Sequence, residues 1–479
     1  MLGAGMNSRH AFVAAIAVLL AARAAMAWFL PLSADEAYYW LWSKHLAAGY
    51  YDHPPAIAWA IAAGTHLLGD TAIGVRLAGV ILSIPVTWLV WDSARLLLKD
   101  RAKAWLAAII FNLTLMASVE MLAATPDMPS IVTSAAMLWT LARLRESGQG
   151  RWWIGFGIAA GLGLLSKFSA LFLGLGALIW LLADRQQRRW LATPWPWGAA
   201  LLAVAIFAPN LWWQSQNQWQ TFAFQFGRVD HGHLTARFLV EFLGAQAGLA
   251  SPLVLVLMLL GLWAGRKPGT ALFLPALLAF TAIAYFLVHA LHARVQGNWP
   301  CFIYPMLSVL AAAAFSLQGA RWRRWLSLAA LPLAALLLLA AYVQAGWGVV
   351  PIPNDPAARI LGRQFRPVAT VAAALSQAHL ADAIVTTDYE TTAWLRFYEP
   401  SVKVIQVNEP WRYPQAPAPS EALLKGRLIY LASFKRDQHH LVESYFAYTG
   451  FPTQIQGAGQ PYMLYPMGKP KHLGFGKMP

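Results

Sequence analysis

A chain of 479 residues that is 58% hydrophobic and only 12% charged, with 24 Trp and a mean hydropathy of +0.48, lies outside the balance of a soluble globular protein. The formal charge of +15 does not imply nucleic acid, because the basic residues sit in short clusters between long apolar runs and form no stripe. A single cysteine, Cys301, excludes an intramolecular disulfide, and the sequence gives that thiol no role.

The segment Met1 to Ala27 has features of a signal peptide, with Arg9 ahead of an apolar run and a small-residue Ala25-Met26-Ala27 site. Arg23 interrupts it where such a run should be cleanest, so it is read as a retained first span. Further apolar segments of spanning length fall at 72–97, 104–121, 128–144, 196–212, 238–263, 270–290, 300–318 and 326–347. The stretch from Arg151 to Asp184 is too long for one span and is read as two, with Lys167 at their turn. The total is about eleven helical spans.

The charges support this threading. Arg95, Lys99, Arg101 and Lys103, then Arg143, Arg145 and Arg151, then Arg185, Arg188 and Arg189, then Arg266 and Lys267, then Arg321, Arg323 and Arg324 all fall on the N-terminal, inner side. Lys44, Lys167, Arg228, Arg237 and Arg294 fall on the other. An odd number of spans leaves the C-terminus outside. The spanning domain ends near residue 350, where a Pro-rich hinge, Val349 to Pro356, leads into a mixed sequence from 351 to 479. Ala383 to Thr387, Val402 to Val407 and Arg427 to Leu431 read as buried strands and Pro367 to His379 as a helix, predicting a small extracytoplasmic α/β domain.

Candidate chemistry gathers on the outer side. The first outer loop, 31–71, is rich in Tyr and Trp and should form interfacial helices. It contains Ser33, Asp35 and Glu36 before Ala37-Tyr38-Tyr39-Trp40, then Tyr51-Asp52-His53-Pro54-Pro55. Asp35 lies just past the first span, where a low dielectric would raise its pKa toward that of a base. Equally, Ser33 or Asp35 would serve as an N-cap. Asp127, in Thr125-Pro126-Asp127-Met128-Pro129, is a candidate site carboxylate or the cap of the next helix. Lys167 is an isolated ammonium among apolar residues, a costly arrangement that a phosphate partner would offset; snorkelling to the interface is the alternative.

The segment Asn210 to Arg237 reads as an aromatic, membrane-facing flap. Its Arg228, His231 and His233 are candidates for phosphate or sugar contact, and Asp230 with the two histidines is also a possible divalent-metal set. Arg294 suits a phosphate. Asn298 is a further candidate or the start of a helix. For Glu241, pairing with Arg237 one turn away is the simplest expectation.

Taken together, Asp35-Glu36-Ala37-Tyr38-Tyr39-Trp40, Tyr51-Asp52-His53-Pro54-Pro55, Thr125-Pro126-Asp127-Met128-Pro129, Leu165-Ser166-Lys167-Phe168 and Gln296-Gly297-Asn298-Trp299-Pro300 resemble the bacterial protein-mannosyltransferase-like group of GT-C glycosyltransferases. That group includes lipid A aminoarabinose transferase and the lipid A and core galacturonosyltransferases. The resemblance implies that Asp35 is the catalytic base of an inverting displacement, that Asp127 orients substrate, and that Lys167 binds phosphate. It implies a polyprenyl-phosphate sugar donor and, because no sugar-binding-like domain is inserted between spans, a lipid A, lipopolysaccharide or other glycolipid acceptor at the periplasmic face of a bacterial inner membrane. Glu36, Tyr51, His53, Lys167, Arg228, His231, His233, Arg294 and Asn298 are then the expected substrate contacts, converging with the two aspartates on one pocket. The competing readings are transfer to protein hydroxyls and lipid-linked sugar transport. The latter would place polar residues near the midplane in related halves, which this sequence lacks.

Overall fold

The computed structural model describes residues 2–227, 234–352, 355, 361, 365–413, 415–433, 436–448, 450–457 and 460–479. Their Cα positions group into two compact units. One comprises Met1–Trp28, His53–Ile57 and Arg76–Tyr342; the other comprises Phe29–Asp52, Ala58–Val75 and Val343–Pro479.

The first unit is helical, and its helices follow the predicted spans closely. Four, at His10–Phe29, Ala72–Leu98, Pro194–Gln216 and Arg321–Trp347, are long and apolar enough to cross a membrane. Shorter apolar helices include Trp152–Ser166, Ala170–Ala183, Phe273–His289 and Trp299–Ala314. This is a multi-pass membrane protein.

Two predicted spans are interrupted, each for a local reason. The segment 104–121 divides into Arg101–Leu113 and Leu115–Glu120 at Thr114. Its backbone is extended and its side chain accepts from Ala117 N, ending one helix and capping the next. The segment 238–263 divides into Arg237–Ala250 and Pro252–Ala264, bent by 103°. Ser251 takes φ of 71° at the joint, and the proline that follows disfavours helical backbone there. The stretch from Arg151 to Asp184 forms two helices with Lys167 as the cap residue between them.

Small residues permit close packing of these helices. A Cβ on Gly157 would lie 2.6 Å from Ala199 O, so Trp152–Ser166 and Pro194–Gln216 approach through their backbones. The interrupting Arg23 is buried, and its guanidinium donates to Ser83 Oγ at 2.9 Å, Asn112 Oδ1 at 3.1 Å and Ser118 Oγ at 3.3 Å. Neutral oxygens thus solvate a charge that the apolar span would otherwise strand.

The second unit holds a mixed sheet with strand order β2-β1-β3-β6-β4, β5 also pairing β6. The strands are β1 Ala383–Thr386, β2 Val404–Gln406, β3 Leu428–Ser433, β4 Phe446–Tyr448, β5 Thr453–Gly457 and β6 Gln460–Pro470. The first three match the predicted strands and are mutually parallel. Arg366–Gln377 is the predicted helix. The antiparallel half, β4 to β6, and the helix Tyr389–Tyr398 were not anticipated. β1, β2 and β3 contribute Ala383, Val385, Ile405, Leu428 and Tyr430 to an apolar core that Phe446, Met467 and Phe475 complete.

The first-loop helix Ala34–Ser43 belongs to this unit. It is fixed there by Trp394, whose Nε1 donates to Leu32 O at 3.1 Å, and by Tyr398, whose hydroxyl accepts from Leu32 N at 3.0 Å. The other predicted interfacial helix is Ala56–Leu68.

Candidate functional site

The first carboxylate candidate lies on a helix that is buried almost throughout. In Ala34–Ser43 every residue except Asp35 is buried. Asp35 is thus the exposed side chain of this helix. Tyr389, at the start of the helix Tyr389–Tyr398, donates its hydroxyl to Asp35 Oδ1 at 3.0 Å. Burial, reinforced by the negative charge of Asp35, pushes that hydroxyl well above the ordinary tyrosine value, so it remains a donor.

Ser33, not Asp35, is the N-cap. Its Oγ accepts from Glu36 N at 3.2 Å, while Glu36 Oε2 accepts from Ser33 N at 2.9 Å, forming a capping box. Glu36 is 1% exposed, so this expected substrate contact is engaged in holding the helix that presents Asp35.

Asp52 is joined to Arg412, whose Nη1 reaches both carboxylate oxygens at 2.7 and 2.8 Å. Arg412 Nε also donates to Glu409 at 2.8 Å. Its guanidinium lies 4.8 Å from the Tyr389 ring centroid and 5.4 Å from that of Tyr51. Burial opposes the charge on Arg412, but Asp52, Tyr38 and Glu409 more than offset it and hold its pKa above the usual value. Tyr51 is thus a wall of the arginine cluster.

In the first unit, Asp127 begins the helix Asp127–Ser147 but makes no capping bond there. Its carboxylate turns to other partners. Oδ1 accepts from Lys167 Nζ at 2.6 Å and from Cys301 Sγ at 2.9 Å, and Oδ2 accepts from Asn298 Nδ2 at 3.0 Å. The Lys167 side chain is 15% exposed and that of Asp127 6%. The ammonium that seemed to lack a partner therefore has one in the chain itself. Asn298 precedes the short helix Trp299–Ile303 without capping it by its side chain.

The remaining candidates divide. His53 Nδ1 lies 3.4 Å from Gln225 Nε2. Arg294 is exposed and pairs with Glu241 at 3.1 Å, the same carboxylate that Arg237 holds at 3.0 Å. The predicted flap is partly helix: Pro194–Gln216 runs through Asn210 to Trp213, and Gln220–Phe226 follows. Phe222 of that short helix stacks on Phe168 at 4.6 Å, beside Lys167. Arg228, His231 and His233, with Asp230, lie outside the described residues. Among the described residues no group of three His, Cys, Asp or Glu is placed to hold a metal.

Sequence reasoning missed Cys301, Tyr389, Glu409 and Arg412. Only Cys301 carried a signal, being next but one to Trp299 in a quoted motif. The others lie far along the chain, in what read as an ordinary domain.

Residues 52–213 match the family described as dolichyl-phosphate-mannose-protein mannosyltransferase. Over 375 residues the chain is 29% identical to the lipid A galacturonosyltransferase RgtD of Rhizobium johnstonii, covering 76% of each. The chain is similar to GT-C glycosyltransferases of that family. It is also 27% identical over 300 residues to an undecaprenyl phosphate-alpha-4-amino-4-deoxy-L-arabinose arabinosyl transferase of Pseudomonas fluorescens, of which it spans half the length. The fold resembles that of ArnT from Cupriavidus metallidurans bound to undecaprenyl phosphate, with a TM-score of 0.65 at 16% identity, over 94% of this chain and 97% of that one.

Proposed function

We propose that the chain transfers a sugar from a polyprenyl-phosphate carrier to lipid A, lipopolysaccharide or a related glycolipid at the periplasmic face of a bacterial inner membrane. The relatives named for lipid A and for undecaprenyl-phosphate donors support this reading. The observation that carries it is the exposure of Asp35: one carboxylate is open on an otherwise buried, doubly capped helix.

In the proposed step the acceptor hydroxyl attacks the anomeric carbon with inversion. The bond to the phosphate oxygen breaks, its electron pair stays on the phosphate, and Asp35 takes the hydroxyl proton. Tyr389 orients Asp35. Lys167, steered by Asp127 and Asn298, is the proposed cation for the departing phosphate. Tyr51, His53, Arg294, Arg228, His231 and His233 are proposed substrate contacts, and Glu36 supports its neighbour Asp35. We also propose eleven crossings within residues 1–350, the shorter apolar helices included, and a periplasmic α/β domain at 351–479.

Mass spectrometry of lipid A and core from deletion and complemented cells tests the acceptor. A sugar lost on deletion and restored on complementation is expected. Glycans lost instead from periplasmic proteins would transfer the assignment to protein hydroxyls, and an unchanged lipid and protein profile would end it.

A further inference from the structure

The second unit contains a cavity of about 460 Å³ bordered by Thr387, Asp388, Asn408, Arg436, Asp437 and Gln438, a volume within the range of small-molecule sites. Its position follows from topology. Thr387 and Asp388 follow β1, and Asn408 follows β2; Arg436 to Gln438 come after β3, and all three strands are parallel. The chain passes from β1 to β2 on one side and then crosses to β3 on the other. This change of direction opens a crevice at the carboxyl ends of the strands.

The polar groups define what fits. Arg436 is already matched, by Glu390 at 2.6 Å and Asp388 at 3.6 Å. Asp388 Oδ1 accepts from Thr391 N at 2.9 Å, whereas its buried Oδ2 has no hydrogen-bond partner among the described residues. Asn408 Nδ2 donates to Gln438 Oε1 at 3.0 Å. The cavity thus offers two amides able to donate and accept, beside the Asp388 carboxylate, whose buried oxygen lacks a donor among the described residues. Among the described residues of its wall no cation is unmatched. Tyr389, also in its wall, carries the hydroxyl that binds Asp35.

We infer that this crevice is a sugar subsite beside Asp35, taking a polyhydroxylated neutral or amino-bearing ring and disfavouring anionic groups. The inference rests on the transferase reading, and the ring belongs either to the donor or to the saccharide of the acceptor.

The test uses the full-length protein in detergent, with Asn408→Ala, Gln438→Ala and Asp388→Asn, the last preserving a helix cap. Saturation-transfer NMR with neutral and amino methyl glycosides should show ring-proton contact in the wild type and lose it in the variants. Inorganic phosphate should not compete. In transfer assays, losing one or two hydrogen bonds should raise one KM by on the order of tenfold. A higher donor KM assigns the ring to the donor, and a higher acceptor KM assigns it to the acceptor. Unaltered KM values with no glycoside contact would overturn the subsite, as would displacement of glycoside by phosphate. If the wild type transfers no sugar, the transferase reading fails, while the NMR measurement still decides whether sugars bind.

Discussion

Two carboxylates stand in contrast. Asp127 is buried and accepts bonds from an ammonium, an amide and a thiol, whereas Asp35 is exposed and accepts from the Tyr389 hydroxyl. A buried carboxylate with three donors is suited to holding other groups in place; an exposed one on a capped helix is suited to taking a proton. The comparison predicts opposite phenotypes. Asp35→Asn should leave folding and donor binding intact and lower transfer by about 10²- to 10⁴-fold, the usual contribution of a general base. Steady-state assays on purified enzyme check this, and near-normal turnover would remove Asp35 from the chemistry.

Asp127→Ala should instead unfold more easily, because Lys167 would keep its charge in a largely buried place without its carboxylate. Breaking such a pair costs about 3–5 kcal/mol, readable as a lowered thermal midpoint in detergent. Arg412→Ala should cost a similar amount by stranding Asp52, whose side chain is 8% exposed. If Asp127→Ala melts like the wild type, the contrast between a holding and a reacting carboxylate dissolves.

The same contrast explains what the sequence made legible. Helix positions in the membrane half were readable because apolar length and flanking charge are imposed by the bilayer itself. The three parallel strands were readable as short β-branched runs between turn residues. Long-range pairing was not. Nothing local to Asp52 announces an arginine 360 residues later, and nothing near Lys167 announces that Asp127 would neutralise it. The N-cap was half legible: Ser33 and Glu36 have capping-box spacing, yet spacing alone could not separate a capping glutamate from a substrate contact. The breaks at Thr114 and Ser251 were hidden because apolar composition runs straight across them.

A smaller effect sharpens the account of how Asp35 is presented. Ser33→Ala removes the acceptor for Glu36 N and should cost about 1 kcal/mol, with a modest loss of transfer as the helix start frays. Ser33→Asp retains an acceptor and should restore both stability and rate. Restoration of stability alone would show that helix integrity and Asp35 geometry are separate.

The smallest expected effect is on titration. Tyr50 stacks on Trp42 at 4.4 Å with rings 3° from parallel, and its hydroxyl donates to the carbonyls of Trp42 and His45. Burial raises its pKa to about 12, a bond from the Ala47 backbone acting in the opposite direction. Because the folded value exceeds the unfolded value of about 10, the neutral hydroxyl contributes its full stability below about pH 10. That contribution declines as pH rises toward 12, since the unfolded chain loses its proton first. Ultraviolet titration should therefore show one fewer tyrosine ionising late in Tyr50→Phe than in the wild type. The variant should also lose the part of the alkaline destabilisation between pH 10 and 12 that belongs to this hydroxyl. Early ionisation of Tyr50 in the folded protein would mean that water reaches the stacked pair, and that the first-loop segment is packed less tightly than its capped helix requires.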